Sequence, residues 1–274
     1  MKSSLLLKNH VLEKQKQLLQ TLSRKAGMAA LVFFILSFGA SFRLPWWITW
    51  ENGPVEMLQN VILLEGLFLC LYYYFKDKKR TIPERPVVGS SSVVSDDEGA
   101  SKVDSAGAGA FNAGSQADGT GSKPLSVSPG VWILGVLIFL LLLGREISWG
   151  RVFFLTGIGR FGPEFTDQSQ LAYYKFVKPF VAVLGVMILY GFYRWFPRKP
   201  VWQKLPFPKF PFAMLCLCAV ISLLGDGGIL KRLIGNAAAI ALEECTEVDI
   251  YFLLVYFVWY YHKWFVLLNK GKLQ

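Results

Sequence analysis

Histidine is nearly missing from this chain: among 274 residues only His10 and His262 occur. Both fall on the cytoplasmic side of the topology that the charge pattern predicts, so a histidine-based zinc site or a Ser-His nucleophile is excluded at the opposite face. Cysteine is also scarce. Cys70, Cys216 and Cys218 fall toward the inner halves of helices, where buried structural thiols are expected. Cys216 and Cys218, two apart, point to different helix faces, and Cys245 is a lone thiol on the outer side. No G-x-S-x-G setting surrounds Ser148, which leaves it as a helix-packing hydroxyl. Ten-residue alternation of apolar and polar residues is lacking, which excludes a membrane β-barrel. The first apolar stretch has no small-x-small cleavage site after it, so a cleaved signal peptide is not expected. No internal repeat is evident.

Apolar residues dominate. The chain is 53% hydrophobic and 18% charged, with a mean hydropathy of +0.39, too apolar for an ordinary soluble domain. A spanning helix needs about 20 mostly apolar residues. Stretches at 26–44, 51–75, 129–150, 174–196, 211–229 and 237–268 qualify. The expected fold class is therefore all-α, a polytopic membrane helix bundle of about six transmembrane helices. The lipid bilayer is its first partner. A net charge of +10 would suggest nucleic acid in a soluble chain, but here the basic residues gather on one side and no nucleic acid is expected. With the N-terminus inside, 21 of the 29 Lys and Arg fall in inner segments. That asymmetry predicts both termini in the cytoplasm.

Residues 1–25 place Leu5, Leu12 and Leu19 at seven-residue spacing among lysines. They form a basic amphipathic helix, read either as lying on the anionic inner leaflet or as a short coiled coil. Residues 26–75 make a two-helix membrane part, with Trp46, Trp47 and Trp50 as an outer aromatic belt. Residues 76–128 form a cytoplasmic linker whose Gly/Ala/Ser/Asp-rich portion has one aromatic, Phe111, and too little apolar surface to order itself. Residues 129–268 make a four-helix part, and 269–274 a tail. The inner loop "FPRKPVWQKLPFPKFPF" is too broken by proline to continue either flanking helix.

Polar residues then separate by depth. The second span opens outside with "ENGPVE", which puts Glu51 and Glu56 at its end, and Asn52, Glu56, Gln59 and Asn60 share one helix face. Glu65 lies near mid-span. The third span is thirteen apolar residues, "VWILGVLIFLLLL", about 20 Å of helix against roughly 30 Å of hydrocarbon. The following "GREISWGR" must then supply the last turns inside the membrane, carrying Arg145 and Glu146 with it. Trp149, four residues beyond Arg145, is placed to stack on its guanidinium. Adjacent helix residues do not face each other, so Arg145 and Glu146 each need partners from another helix or from water, and the carboxylates of "ENGPVE" or "LEECTEVD" are the candidates for Arg145. In "LEECTEVD" Glu243 and Glu247 share a face, while Glu244 and Asp249 point elsewhere; Ala237, Ala241 and Cys245 make a small-residue stripe for close helix approach. The fifth span ends near Asp226. The loop "RVFFLTGIGRFGPEFTDQSQ" adds Arg151, Arg160, Glu164 and Asp167 and suits an interfacial or re-entrant segment, or a lid.

A charge at membrane depth costs about 2.5 to 3.5 kcal/mol even on lenient insertion scales. Such residues are kept either as an ion-pair network that sets helix packing or as a site. About ten acids share the outer region with eight bases, more than mutual pairing requires. The candidate ligand-binding residues are Glu51, Glu56, Arg145, Glu146, Trp149, Arg151, Glu243 and Glu247. Carboxylates without histidine can still bind Mg²⁺ or Ca²⁺, accept protons, or grip a cationic or hydroxyl-rich substrate; no particular metal or cofactor is implied.

"ENGPVE" opening one span, "REISWGRVFF" ending the next and the "GPEF" that follows resemble a group of uncharacterised bacterial polytopic inner-membrane proteins with an E-[IL]-S-W-G-[QR] motif. The likeness covers residues 51 to 196. It implies a bacterial inner (cytoplasmic) membrane location and supplies no reaction; members of that group often carry a second acid where this chain has Arg145. The function expected is an Arg/Glu/Trp polar site in the periplasmic half that binds a small polar or lipid-headgroup ligand, for transport or sensing. The alternatives are a membrane-embedded enzyme acting on an envelope lipid or glycan carrier, with Glu146, Glu243 or Glu247 as general base or metal ligand, and a structural membrane subunit.

Overall fold

The computed structural model describes residues 2–43, 53–81, 128–159, 162–196 and 205–270. Glu51, Arg160, the tryptophans at 46, 47 and 50, nearly all of the linker and most of the tail lie outside the described residues. Helices hold most of the rest. They are α1 Lys2–Ser41, α2 Pro54–Thr81, α3 Gly130–Glu146, α4 Tyr174–Trp195, α5 Lys209–Asp226, the short α6 Ile229–Ile234 and α7 Asn236–Lys270. Between α3 and α4 the chain makes a two-stranded antiparallel hairpin, β1 Leu155–Gly159 with β2 Gly162–Phe165.

Among the described residues, four helices are long and apolar enough to cross a membrane: α1 from His10, α2 up to Lys79, α4 and α5. Helix is the form expected of such stretches, because a backbone in hydrocarbon must satisfy its own hydrogen bonds. The chain thus has the build of an integral membrane protein. Its flank agrees: Val183, Val186, Leu189 and Tyr193 of α4 are exposed, a face suited to lipid. The third apolar run is shorter. α3 has 17 residues, about 25 Å of helix, and it ends at Glu146 instead of continuing to residue 150. α7 has 35 residues and concentrates its acids, Glu243, Glu244, Glu247 and Asp249, in its first four turns.

α7 is the central post. α1, α2 and α5 pack around it, α3 packs on α2, and α4 packs chiefly on α3. In hydrocarbon, apolar burial does not by itself drive helices together, so close van der Waals fit must. The sequence provides it with small residues. A Cβ at Gly66 of α2 would enter the Phe139 ring of α3, and one at Gly135 of α3 would lie 2.6 Å from Cys70 Sγ of α2. Leu63, Cys70, Phe139 and Tyr251 form the cluster joining α2, α3 and α7, while Ala30, Met214, Cys218 and Leu253 join α1, α5 and α7.

The N-terminal amphipathic segment is continuous with the first apolar stretch, so α1 is one 40-residue rod. Its leucine stripe is used in packing. Leu19 is buried, and Leu12 partly so, against Tyr260, Trp264 and Phe265 of α7, whereas Val11 and Leu18 are exposed. Leu12 and Leu19, seven residues apart, thus hold one edge of α1 against α7. At the same end Trp132 Nε1 donates to Asp77 Oδ2 at 2.8 Å, His262 Nε2 lies 3.8 Å from Asp77 Oδ1, and the His262 ring stacks on Tyr73 with centroids 3.5 Å apart.

Candidate functional site

The acidic ends of α2, α3, α5 and α7 meet in one region, and the conformation of "GREISWGR" shapes it. After Glu146 the backbone leaves the helix. Ser148 (φ 46°), Trp149 (φ 52°) and Gly150 (φ 93°) all take left-handed backbone, which costs about 1 to 3 kcal/mol at a non-glycine residue. The reversal folds the Trp149 ring onto Gly144, where a Cβ would overlap it, and edge-on to Phe180 of α4 at 5.8 Å. Trp149 therefore covers the end of α3 and α4; the stacking on Arg145 expected from a continuing helix is lost because the helix has already ended.

Arg145 is bound from two directions. Its Nε donates to Glu146 Oε1 at 3.0 Å, and its Nη2 donates to Tyr251 Oη at 2.9 Å and to Glu247 Oε1 of α7. Adjacent residues do pair here, against expectation: Glu146 is the last residue of α3, and both long side chains bend sideways toward α7. Tyr251 Oη completes the ring by donating to Glu146 Oε1 at 2.6 Å, and Ser222 Oγ of α5 donates to Glu247 Oε1 at 3.1 Å. The partners are buried and the cation is not. The side chains of Glu146 and Glu247 are 7% and 9% exposed, that of Arg145 52%. A cation at the C-terminus of α3 also meets the negative end of the helix dipole.

The remaining acids of α7 point to separate neighbours. Gln59 of α2, fully buried, donates through Nε2 to the backbone oxygen of Glu244 at 2.9 Å and to its Oε2 at 3.0 Å. Glu56 is buried near Glu244. Glu243 lies beside Asp226 and Lys231, reaching the end of α5 over Gly225, where a Cβ would stand 2.7 Å from Glu243 Oε2. Asp249 accepts a weak bond from Cys218 Sγ at 3.9 Å. Of the small-residue stripe, Ala241 and Cys245 are buried and Ala237 is exposed. Among the described residues, no group of three or more His, Cys, Asp or Glu is arranged to hold a metal ion.

Arg145, Glu146 and Glu247 thus form one network, with Glu243 and Glu56 at its margins. Arg151 extends toward the hairpin, with its guanidinium carbon 5.9 Å from the centre of the Phe165 ring. Phe153, just before the hairpin, and Leu155 and Ile158 within it are exposed. Sequence reasoning left Tyr251, Ser222, Gln59 and Glu244 out of the candidates. Gln59 carried a signal, its place on the Glu56 face; Ser222 and Tyr251 carried none, because a lone hydroxyl in an apolar run does not indicate its neighbours. Compared with protein-family models, curated proteins and solved structures, the chain gives no match.

Proposed function

We propose that the chain spans a bacterial inner membrane six times with both termini in the cytoplasm, and that the Arg145 network is a periplasm-facing site for a small polar or lipid-headgroup ligand, serving transport or sensing. Arg145 carries this reading: two nitrogens are anchored on buried acceptors while half of the side chain stays exposed. A guanidinium so fixed is preorganised for an incoming acceptor. The carboxylates of Glu146, Glu243, Glu244, Glu247 and Asp226 outnumber Arg145 and Lys231 around it. That surplus disfavours a multiply charged anion and favours a hydroxyl-rich or zwitterionic ligand. The exposed apolar hairpin suits an interfacial position beside the site.

The test uses the purified chain in phosphatidylcholine nanodiscs, titrated with glycerophosphoethanolamine and with neutral sugars. A compound that raises the melting temperature of wild type but not of Arg145→Gln supports the site. If no compound acts, and Arg145→Met destabilises the protein while removal of the Glu247 carboxylate in Arg145→Met/Glu247→Leu rescues it, the network is structural. One observation favours that second reading, because Glu247 binds Arg145 and Ser222 together and so ties α3, α5 and α7. An enzyme acting on an envelope lipid or glycan carrier has less support, since its metal-assisted form lacks a ligand set among the described residues. For topology, a reporter after residue 155 should be periplasmic and one within 90–125 cytoplasmic; the reverse pattern refutes the orientation.

A further inference from the structure

Glu65 of α2 stands apart from the acids at the helix ends. It is exposed on the flank of the bundle, eleven residues from Pro54 at one end of the span and eleven from Lys76 near the other, about 16 Å in each direction. Its neighbour Gly66 packs on Phe139, near the middle of α3, so Glu65 lies at mid-depth. Among the described residues, no hydrogen bond or ion pair reaches it. A side chain this short cannot snorkel to either interface, and an ionisable group in hydrocarbon calls for a partner.

The face that carries Glu65 is turned away from the rest of the chain. Gln59, Leu63, Gly66, Cys70 and Tyr73 are buried, and they follow one another at intervals of four, three, four and three residues as the seam that α2 presents to α3 and α7. Leu58, Val61, Glu65, Phe68, Tyr72 and Phe75 are exposed. They repeat the same alternation of three and four on the other side, the spacing of a left-handed helix pair. None of these six belongs to the clusters that join α2 to its neighbours. Spacing alone would suit lipid equally well; a carboxyl at the centre of the seam does not.

We infer that this outward face of α2 is where two copies of the chain meet, as a parallel pair about a two-fold axis along the membrane normal. Such an axis makes the interface self-complementary and sets the central seam residues against their own copies at one depth, so Glu65 meets Glu65. Two carboxyl groups satisfy each other when each O–H donates to the other's carbonyl oxygen, which needs no residue from any other protein. Val61 and Phe68 then flank the pair with apolar contact. A foreign helix would have to carry a cation or an amide at that one level; the second copy carries its match by symmetry. The inference rests on α2 crossing the membrane, and on neither the direction of crossing nor the Arg145 network.

The experiment is single-molecule photobleaching of the labelled full chain in phosphatidylcholine liposomes, with the protein diluted stepwise in lipid. Wild type should bleach in two steps, less often as dilution proceeds. Glu65→Gln, whose amides can also pair reciprocally, should dimerise within about threefold of wild type, whereas Glu65→Leu should weaken dimerisation roughly five- to thirtyfold. The leucine variant should unfold no more easily than wild type as a monomer, since it removes a lone carboxyl from hydrocarbon. In a Cys216→Ser background, which removes the exposed native thiol, oxidation should join Val61→Cys and Phe68→Cys into disulfide dimers but not Val183→Cys, on the exposed face of α4. One-step bleaching of wild type at every dilution overturns the proposal. So does a dimer that Glu65→Leu leaves unchanged, or one that cross-links through Val183→Cys and not through Phe68→Cys.

Discussion

Replacing Arg145 by methionine should destabilise the protein more than replacing Glu247 by glutamine, although the two residues belong to one ion pair. The reason is their unequal burial. Without Arg145, the carboxylates of Glu146 and Glu247, 7% and 9% exposed, face each other across Tyr251 with no cation between them. Breaking a buried pair in this way costs about 3 to 5 kcal/mol; since Arg145 is 52% exposed and water reaches the pair from its side, the lower limit, about 3 kcal/mol, is expected. In Glu247→Gln the amide oxygen still accepts from Arg145 and Ser222, and the cation keeps Glu146. That loss should be about 1 kcal/mol. The double variant should fall short of the sum by about 1 to 2 kcal/mol, because neutralising Glu247 relieves the site left by Arg145. Reversible unfolding in mixed detergent and dodecyl sulfate micelles measures all three. Equal costs for the single variants, or strict additivity, would refute the burial argument.

Other substitutions address the frame around the network. Ser148→Gly should stabilise by about 1 kcal/mol by relieving the left-handed φ of 46°, measured in the same unfolding assay; a loss would mean that the hydroxyl outweighs the strain. Gly66→Ala drives a methyl into Phe139 and should cost about 1 to 3 kcal/mol, with Gly39→Ala, where nothing lies within 4 Å, as a neutral control. Trp132→Phe removes the donor to Asp77 at 2.8 Å while keeping a ring in place; a loss of about 1.5 kcal/mol is expected, and Asp77→Asn should shrink the difference between tryptophan and phenylalanine at that position.

The long apolar runs determined the helices by themselves. A run such as 211–225 has one solution in hydrocarbon, where only a helix satisfies every backbone group within the segment, and Gly227, Gly228 and the prolines before Lys209 break the pattern where the helices end. Because charge is costly at depth, composition also separated an acidic end from a basic one. Tertiary structure decided the partners. Arg145 could have met carboxylates of α2 or α7, and it took Glu247 because α3 lies beside α7 with Tyr251 and Ser222 completing the bonds. Trp149 turned away because three consecutive residues adopt left-handed backbone, a conformation that neither serine nor tryptophan favours and that periodicity does not encode. Leu12 and Leu19 announced an apolar edge, but whether it met lipid or protein depended on how far α7 extended beside it. Local pattern determines which faces must be covered; only packing decides what covers them.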